Sequence, residues 1–214
     1  MGLAVETGML ADLIENDAEG AEWLHESFAK VNEVLAENGL PTHEEPEQLP
    51  AMESRAGIGS YPYSFLHYLR RFFARATGDP DWTPTPVRDG EDPAEDPVLD
   101  QEMSMMSSHL LCHSDCEGFY LPLDFEEVIF DDADEDRIPG AMLGSSFRLM
   151  DELLEVAPKL GIRLDNGRLA DAEADRINAA YEAEEEFRIE KTVWISLFEA
   201  ARLSIEYKTA ICFT

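Results

Sequence analysis

The densest group of reactive side chains in this sequence spans eight residues and consists of His109, Cys112, His113 and Cys116. Imidazole and thiolate are the usual ligands of zinc, and a two-residue gap between ligands is typical of half a zinc site. On a helix the four side chains would share one face, whereas on a strand Cys112 would point away from both histidines. Structural zinc sites usually draw ligands from two segments, and the remaining candidates for the second segment are Cys212 and His67.

The sequence favours a structural role for this group. Residues 104–113 are predicted to form a half-buried strand, in which cysteine serves as a small apolar residue. The alternative is a zinc-binding module or a metal-dependent enzyme centred on residues 109–116. Cys112, His113 and Asp115 also carry the groups of a thiol hydrolase, but neighbours on a strand point to opposite faces. No catalytic residue is therefore assigned, the chain is not expected to be an enzyme, and zinc is the one cofactor considered.

Three aspartates in the pattern Asp132-x-Asp134-x-Asp136 resemble the start of a calcium loop, in which oxygen ligands alternate along the chain. The pattern then departs from such a loop. Arg137 stands where the loop needs glycine, and Leu143 stands where it needs a bidentate glutamate. A solvated, charged turn over residues 131–136 is the prediction.

Three arginines, Arg70, Arg71 and Arg75, lie among aromatic residues in a predicted helix over residues 62–77. Guanidinium groups bind phosphate or carboxylate in a bidentate manner, so these residues are candidates for an anion-binding site. The alternative is that they pair with acidic loops of the same chain, because the surrounding charge is strongly negative.

The charge of the whole chain limits its partners. The 214 residues include 46 Asp and Glu but 16 Lys and Arg, which gives a formal net charge of −30. Such a surface repels nucleic-acid phosphates and anionic membranes and attracts basic proteins. Carboxylates held on a rigid helix can imitate the phosphates of a duplex. The predicted partner-binding residues are Glu182, Glu184, Glu185 and Glu186 on a helix, with Glu44, Glu45 and Glu47 in a loop.

These observations predict an acidic interaction protein that binds and neutralises a basic partner, as an inhibitor or immunity protein or a mimic of nucleic acid. The other interpretation is a salt-adapted domain whose charge has no specific target. Direct binding to nucleic acid or membrane is not expected, and the oligomeric state is open. The N-terminal residues lack the basic start of a secretory signal, and three cysteines are an odd number, so a bacterial cytoplasmic location is expected.

The elements that position these residues form an α+β fold, mostly helical, with a small sheet built from central and C-terminal segments. Helices are predicted over 17–38, 62–77 and 142–160, and a long helical element over 171–207 is either one helix or two. Strands are predicted over 2–6, 104–113, 119–123, 128–130 and 209–213. The proline-rich, acidic segment 78–102 is predicted to be a loop or linker. It would separate an N-terminal helical part, 1–77, from an α+β part, 103–214, unless the chain is one domain.

Overall fold

The computed structural model describes residues 2–131 and 137–214, and it shows an α+β architecture with more helix than sheet. Within these residues a six-stranded mixed sheet has the order β2-β1-β8-β3-β5-β4. Its strands are β1 (Gly2–Thr7), β2 (Ser60–Pro62), β3 (Gly118–Leu121), β4 (Ile129–Phe130), β5 (Met142–Ser145) and β8 (Ile211–Phe213). A separate hairpin pairs β6 (Leu164–Asp165) with β7 (Arg168–Leu169). The predicted fold class is confirmed, and the sheet also takes β1 and β2 from the N-terminal region.

The helices are α1 (Met9–Asn16), α2 (Ala18–Glu37), α3 (Tyr63–Gly78), α4 (Pro97–Met103), α5 (His109–Cys112), α6 (Ser146–Val156), α7 (Asp171–Ala179) and α8 (Arg188–Tyr207). Local signals explain the ends of α2. Before it, the Asp17 carboxylate accepts a hydrogen bond from the amide of Gly20 at 3.2 Å. After it, Gly39 adopts a φ of 70°, which glycine tolerates at a helix C-terminus.

Helices cover both faces of the sheet because side chains alternate along each strand. On one face, Leu3, Tyr120 and Ile211 join a core built with α3, α6 and α8. On the opposite face, Phe119 and Cys212 belong to a second core that α1 and α2 complete. Helix α2 is therefore an outer layer, and its second side faces solvent.

The predicted strand over residues 104–113 is wrong, because this segment contains a turn and the one-turn helix α5. The Ser108 hydroxyl accepts a hydrogen bond from the amide of Leu111 at 3.0 Å. The buried carboxylate of Glu152 in α6 accepts hydrogen bonds from the amides of His109 and Leu110, at 2.9 and 2.7 Å. A residue distant in sequence thus holds the start of α5.

One predicted helix begins later than expected, and the element that the sequence leaves open as one helix or two is two helices. Residues 142–145 are strand β5, which pairs in parallel with β3, and the Ser145 hydroxyl then caps α6 by accepting from the Arg148 amide at 3.3 Å. The predicted element 171–207 is two helices, α7 and α8, and Phe187 adopts a left-handed φ of 59° just before α8. The charged turn predicted at 131–136 falls largely on residues 132–136, which lie outside the described residues.

Segment 78–102 includes the start of α4, and its Asp96 binds Arg71 and Arg75 of α3. Its role as a boundary between two domains stays a prediction.

Across the described ranges, no helix has the length and apolar character that crossing a membrane requires.

Candidate functional site

A row of glutamates follows the outer side of α2. At about 100° per residue, its members lie within an arc of about 60°, opposite the buried side of the helix. The row is about 27 Å long, since its ends are separated by eighteen steps of about 1.5 Å. All of its members are exposed, and we call them the α2 row: Glu19, Glu22, Glu26, Glu33 and Glu37.

Most of the charge of the α2 row is not neutralised by the protein itself. Glu37 accepts a hydrogen bond from Arg137 at 2.8 Å, and this bond lowers the pKa of Glu37. The other four carboxylates form no ion pair with any residue in 2–131 or 137–214. Lys30 lies on the same side of α2 and is exposed, and it too has no ion pair among the described residues. The row is therefore a line of negative charge with one cation in it.

The predicted loop glutamates lie beside α2. The Oε1 atom of Glu47 is 3.9 Å from Nε2 of His25 in α2. An open cavity of about 310 Å³ is lined by His25 and Ala29 together with Glu44 and Glu47. Glu44 and Glu47 are exposed, so they extend the acidic surface of α2 sideways.

Glu45 has a different environment from the two glutamates on either side of it. Its side chain is 3% exposed and lies 2.6 Å from Nε2 of His43. It also accepts a hydrogen bond from the amide of Ala210 at 2.8 Å and another from the Thr209 hydroxyl. These bonds attach the loop to the start of β8, so the Glu45 carboxylate is already fully engaged.

The acidic segment 182–186 lies between α7 and α8 and is not helical. Glu184 lies 3.8 Å from Arg188, and Glu185 lies 2.9 Å from Lys191, which lowers the pKa of Glu185. Glu182 and Glu186 are exposed and have no ion pair within the described part of the chain. The regular helical spacing expected here is absent from residues 182–186, and their contact with a partner stays a prediction.

The three predicted anion-binding arginines form ion pairs with aspartates of the same chain. Arg71 and Arg75 each donate to the same oxygen of Asp96, at 2.9 and 2.7 Å. Burial opposes ionisation of Asp96, but the hydrogen bond from Arg75 and the charge of Arg71 outweigh it and lower the pKa of Asp96. Arg70 is buried and forms an ion pair with Asp115. Internal pairing is thus observed, and binding of an external anion stays a prediction.

The four predicted metal ligands face different neighbours. His109 accepts a hydrogen bond from the amide of Ser145 through Nδ1 at 3.0 Å, and its Nε2 donates to the carbonyl oxygen of Glu126 at 3.1 Å. His113 stacks on Tyr120 with ring centroids 4.1 Å apart, and burial lowers the pKa of His113 to about 3.

The two cysteines of this group also differ in their surroundings. Burial raises the pKa of the half-buried Cys112 thiol, whereas Cys116 is exposed, with Sγ 3.8 Å from the Ser114 hydroxyl. Among the residues that the structure describes, no three His, Cys, Asp or Glu side chains are arranged to hold a metal ion. The zinc hypothesis therefore has no geometric support from these residues.

The α2 row was not identified from the sequence as a binding surface. The prediction relied on consecutive acids, such as Glu184–Glu186, and on the acidic loop. The sequence pattern that indicates the row is the spacing of the glutamates in α2. They are separated by three, four or seven residues and lie on the side of the helix opposite its apolar stripe. Such spacing places acids next to one another on a helix although they are separated in sequence.

Comparison with known proteins gives one result for nearly the whole chain. A protein-family model described as "Putative DNA-mimic protein" matches residues 1–213. No curated protein matches, and no solved structure matches.

Proposed function

Because the chain belongs to this family of DNA-mimic proteins, we propose that it binds a basic DNA-binding protein and inhibits it by covering the surface that contacts DNA. The observation that supports the proposal best is the α2 row, a line of exposed carboxylates on a chain of net charge −30. In this proposal the α2 row, together with Glu44 and Glu47, takes the place of DNA phosphates.

The spacing of the α2 row suits this role. One strand of B-DNA presents a phosphate about every 3.4 Å along the helix axis. Neighbouring members of the row are three, four or seven residues apart, and four intervals over about 27 Å average about 7 Å. The row thus offers roughly one carboxylate for every second phosphate of a strand. A groove that tracks a DNA backbone with Lys and Arg would meet charges at a compatible interval.

The row is also held rigidly. The inner side of α2 contributes Leu24, Val31 and Leu35 to the core, and each of these side chains is fully buried. A carboxylate on a packed helix loses less freedom on binding than one on a flexible loop, so less binding energy is lost to ordering. The net charge of −30 adds long-range attraction, which raises the rate of association with a basic partner.

The experiment is displacement of basic proteins from DNA. Proteins of the source cell are loaded on DNA-cellulose and eluted with the native protein at fixed ionic strength. The row variant carries Glu19→Gln, Glu22→Gln, Glu26→Gln and Glu33→Gln. A control variant carries Asp81→Asn, Asp89→Asn, Glu95→Gln and Glu155→Gln, which are exposed and form no ion pair with described residues. Both variants lose four negative charges, so only the position of the charges differs.

We expect the native protein and the control variant to release the same basic DNA-binding protein, and the row variant to release little of it. Each exposed charge pair contributes roughly 0.2–1 kcal/mol, so four lost pairs weaken binding by about 1–4 kcal/mol. Equal weakening in both variants would mean that the net charge acts without a defined surface. Release of no DNA-binding protein by any form would contradict the proposed function and favour salt adaptation.

A further inference from the structure

Trp23 is an aromatic residue at the border of the acidic side of α2, just outside the arc of the α2 row. Its side chain is 50% exposed, although tryptophan is usually well covered in folded proteins. Glu19 lies four residues before it and Glu26 three residues after it, so both carboxylates are neighbours of the indole on the helix surface. The indole is thus an apolar, flat surface with one carboxylate about a turn before it and another about a turn after it on the helix.

A cavity lies beside this indole. It has a volume of about 250 Å³, and its lining includes Met9, Trp23, Glu117, Pro139 and Phe213. Glu117 is exposed and forms no ion pair within the described ranges, so one acid without an ion pair lines this cavity. The cavity therefore combines an aromatic wall with the carboxylate of Glu117 and has no basic residue among those that line it, while Glu19 and Glu26 lie next to the indole on the surface of α2.

We propose that Trp23 and this cavity receive an arginine side chain of the DNA-binding partner, with the guanidinium stacked on the indole and its edge bound by the neighbouring carboxylates. The proposal rests on the proposed function and names the residue type that this part of the surface recognises. A cation over the face of a tryptophan is attracted by the ring quadrupole, and tryptophan is the best side chain for this contact.

Arginine fits this site better than lysine for two reasons. The guanidinium is planar and weakly hydrated, so it stacks on an aromatic face at a lower desolvation cost than an ammonium group. When the guanidinium is stacked, its N–H groups still point outward in its own plane. Carboxylates can then accept two hydrogen bonds from it at once. Arginine meets a similar arrangement in single-stranded or locally opened nucleic acid, where it stacks on an unstacked base beside the phosphates. The indole then takes the place of a base beside carboxylates that replace phosphates.

The test compares hexa-arginine and hexa-lysine peptides as probes by calorimetry with the native protein, Trp23→Leu and Trp23→Phe. Leucine keeps an apolar side chain without a ring, and phenylalanine keeps a smaller ring. Tyr181→Leu is the control, because Tyr181 is 40% exposed and lies outside the α2 row. We expect Trp23→Leu to weaken hexa-arginine binding about two- to fivefold, with a smaller effect on hexa-lysine and an intermediate result for Trp23→Phe.

Nuclear magnetic resonance of the three tryptophan indole N–H groups gives a second measurement. Trp194 is buried and donates to the carbonyl oxygen of Leu153 at 2.8 Å, and Trp82 packs on Phe72 with ring centroids 5.1 Å apart. Hexa-arginine should therefore shift the Trp23 signal and leave the other two in place. An unchanged Trp23 signal, or equal losses for both peptides in Trp23→Leu, would overturn this inference. The DNA-cellulose experiment tests the proposed function separately. The function survives if the native protein still releases a basic DNA-binding protein, and it fails if no form of the protein releases one.

Discussion

Lys30 interrupts the α2 row, and changing its charge should change binding to a cationic partner in a predictable direction. It lies four residues after Glu26 and three before Glu33, and it is exposed. A partner cation over Glu26 would lie roughly 6 Å from residue 30 along the helix axis. Lys30 repels such a cation, so Lys30→Gln should strengthen binding and Lys30→Glu should strengthen it further.

The magnitude follows from Coulomb's law. Two unit charges 6 Å apart in water interact by about 0.7 kcal/mol, and a Debye length of about 8 Å at physiological ionic strength reduces this to about 0.3 kcal/mol. Lys30→Gln therefore corresponds to a gain of about 1.7-fold in affinity per cation bound nearby. Lys30→Glu changes the charge by two units and corresponds to about threefold. In 1 M salt the Debye length is about 3 Å, and Lys30→Glu should then raise the affinity only about 1.4-fold.

The assay is calorimetric titration with the hexa-arginine peptide in physiological and in 1 M salt. Arg168→Glu is the matched control, because Arg168 is exposed, lies in β7 and forms no ion pair in the described part of the chain. Its substitution changes the net charge as much as Lys30→Glu does, but outside the row. If both variants gain affinity equally, the row is not the contact surface, and a loss of affinity in Lys30→Glu would refute the electrostatic argument itself.

Two further predictions concern the folded state. Glu199→Ala should lower the free energy of unfolding by roughly 2–4 kcal/mol in urea denaturation, because the buried Glu199 carboxylate accepts from Arg55 at 3.1 Å and from Arg202 at 2.8 Å; a loss below 0.5 kcal/mol would contradict this role. The hydrogen bond from Arg176 outweighs burial and lowers the pKa of Glu173 from 4.5 to about 2. The ionised Glu173 therefore contributes stability that is complete above about pH 4.5 and is lost as the pH falls towards 2, so Glu173→Gln should flatten the pH dependence of the urea midpoint over that range.

Helix α2 and the fold class were predictable from the sequence because their signals are local. Ala21, Leu24 and Phe28 recur at helical spacing, and Gly39 with Pro41 marks the end of the helix. A structural biologist could therefore place this helix, and its solvent side, without coordinates.

Residues 104–113 and 142–145 were not predictable in the same way, because distant contacts decide their conformations. Helix α5 depends on Glu152, which is more than forty residues away from the amides it binds. Strand β5 pairs with β3, and a Cβ atom at residue 144 would overlap the ring of Tyr120, so Gly144 leaves the space that this ring occupies beside β5. An apolar segment of this length is compatible with either strand or helix until its partner is known.

The distribution of basic residues explains why so much negative charge remains on the surface. Three buried carboxylates, Asp96, Glu173 and Glu199, are each shared by two arginines. These three clusters use six of the 16 basic residues but three of the 46 acids, so the rest of the chain has an excess of 33 acids over bases. Two arginines stabilise each of these carboxylates, because burying a carboxylate without a positively charged partner costs a large desolvation penalty. The same pairing takes cations away from solvent-facing helices, and α2 keeps one lysine against a row of five glutamates. The buried ion pairs and the mostly unpaired acids on the outer side of α2 therefore follow from the same distribution of basic residues. Substitutions that neutralise the row should alter binding without disturbing the three buried clusters.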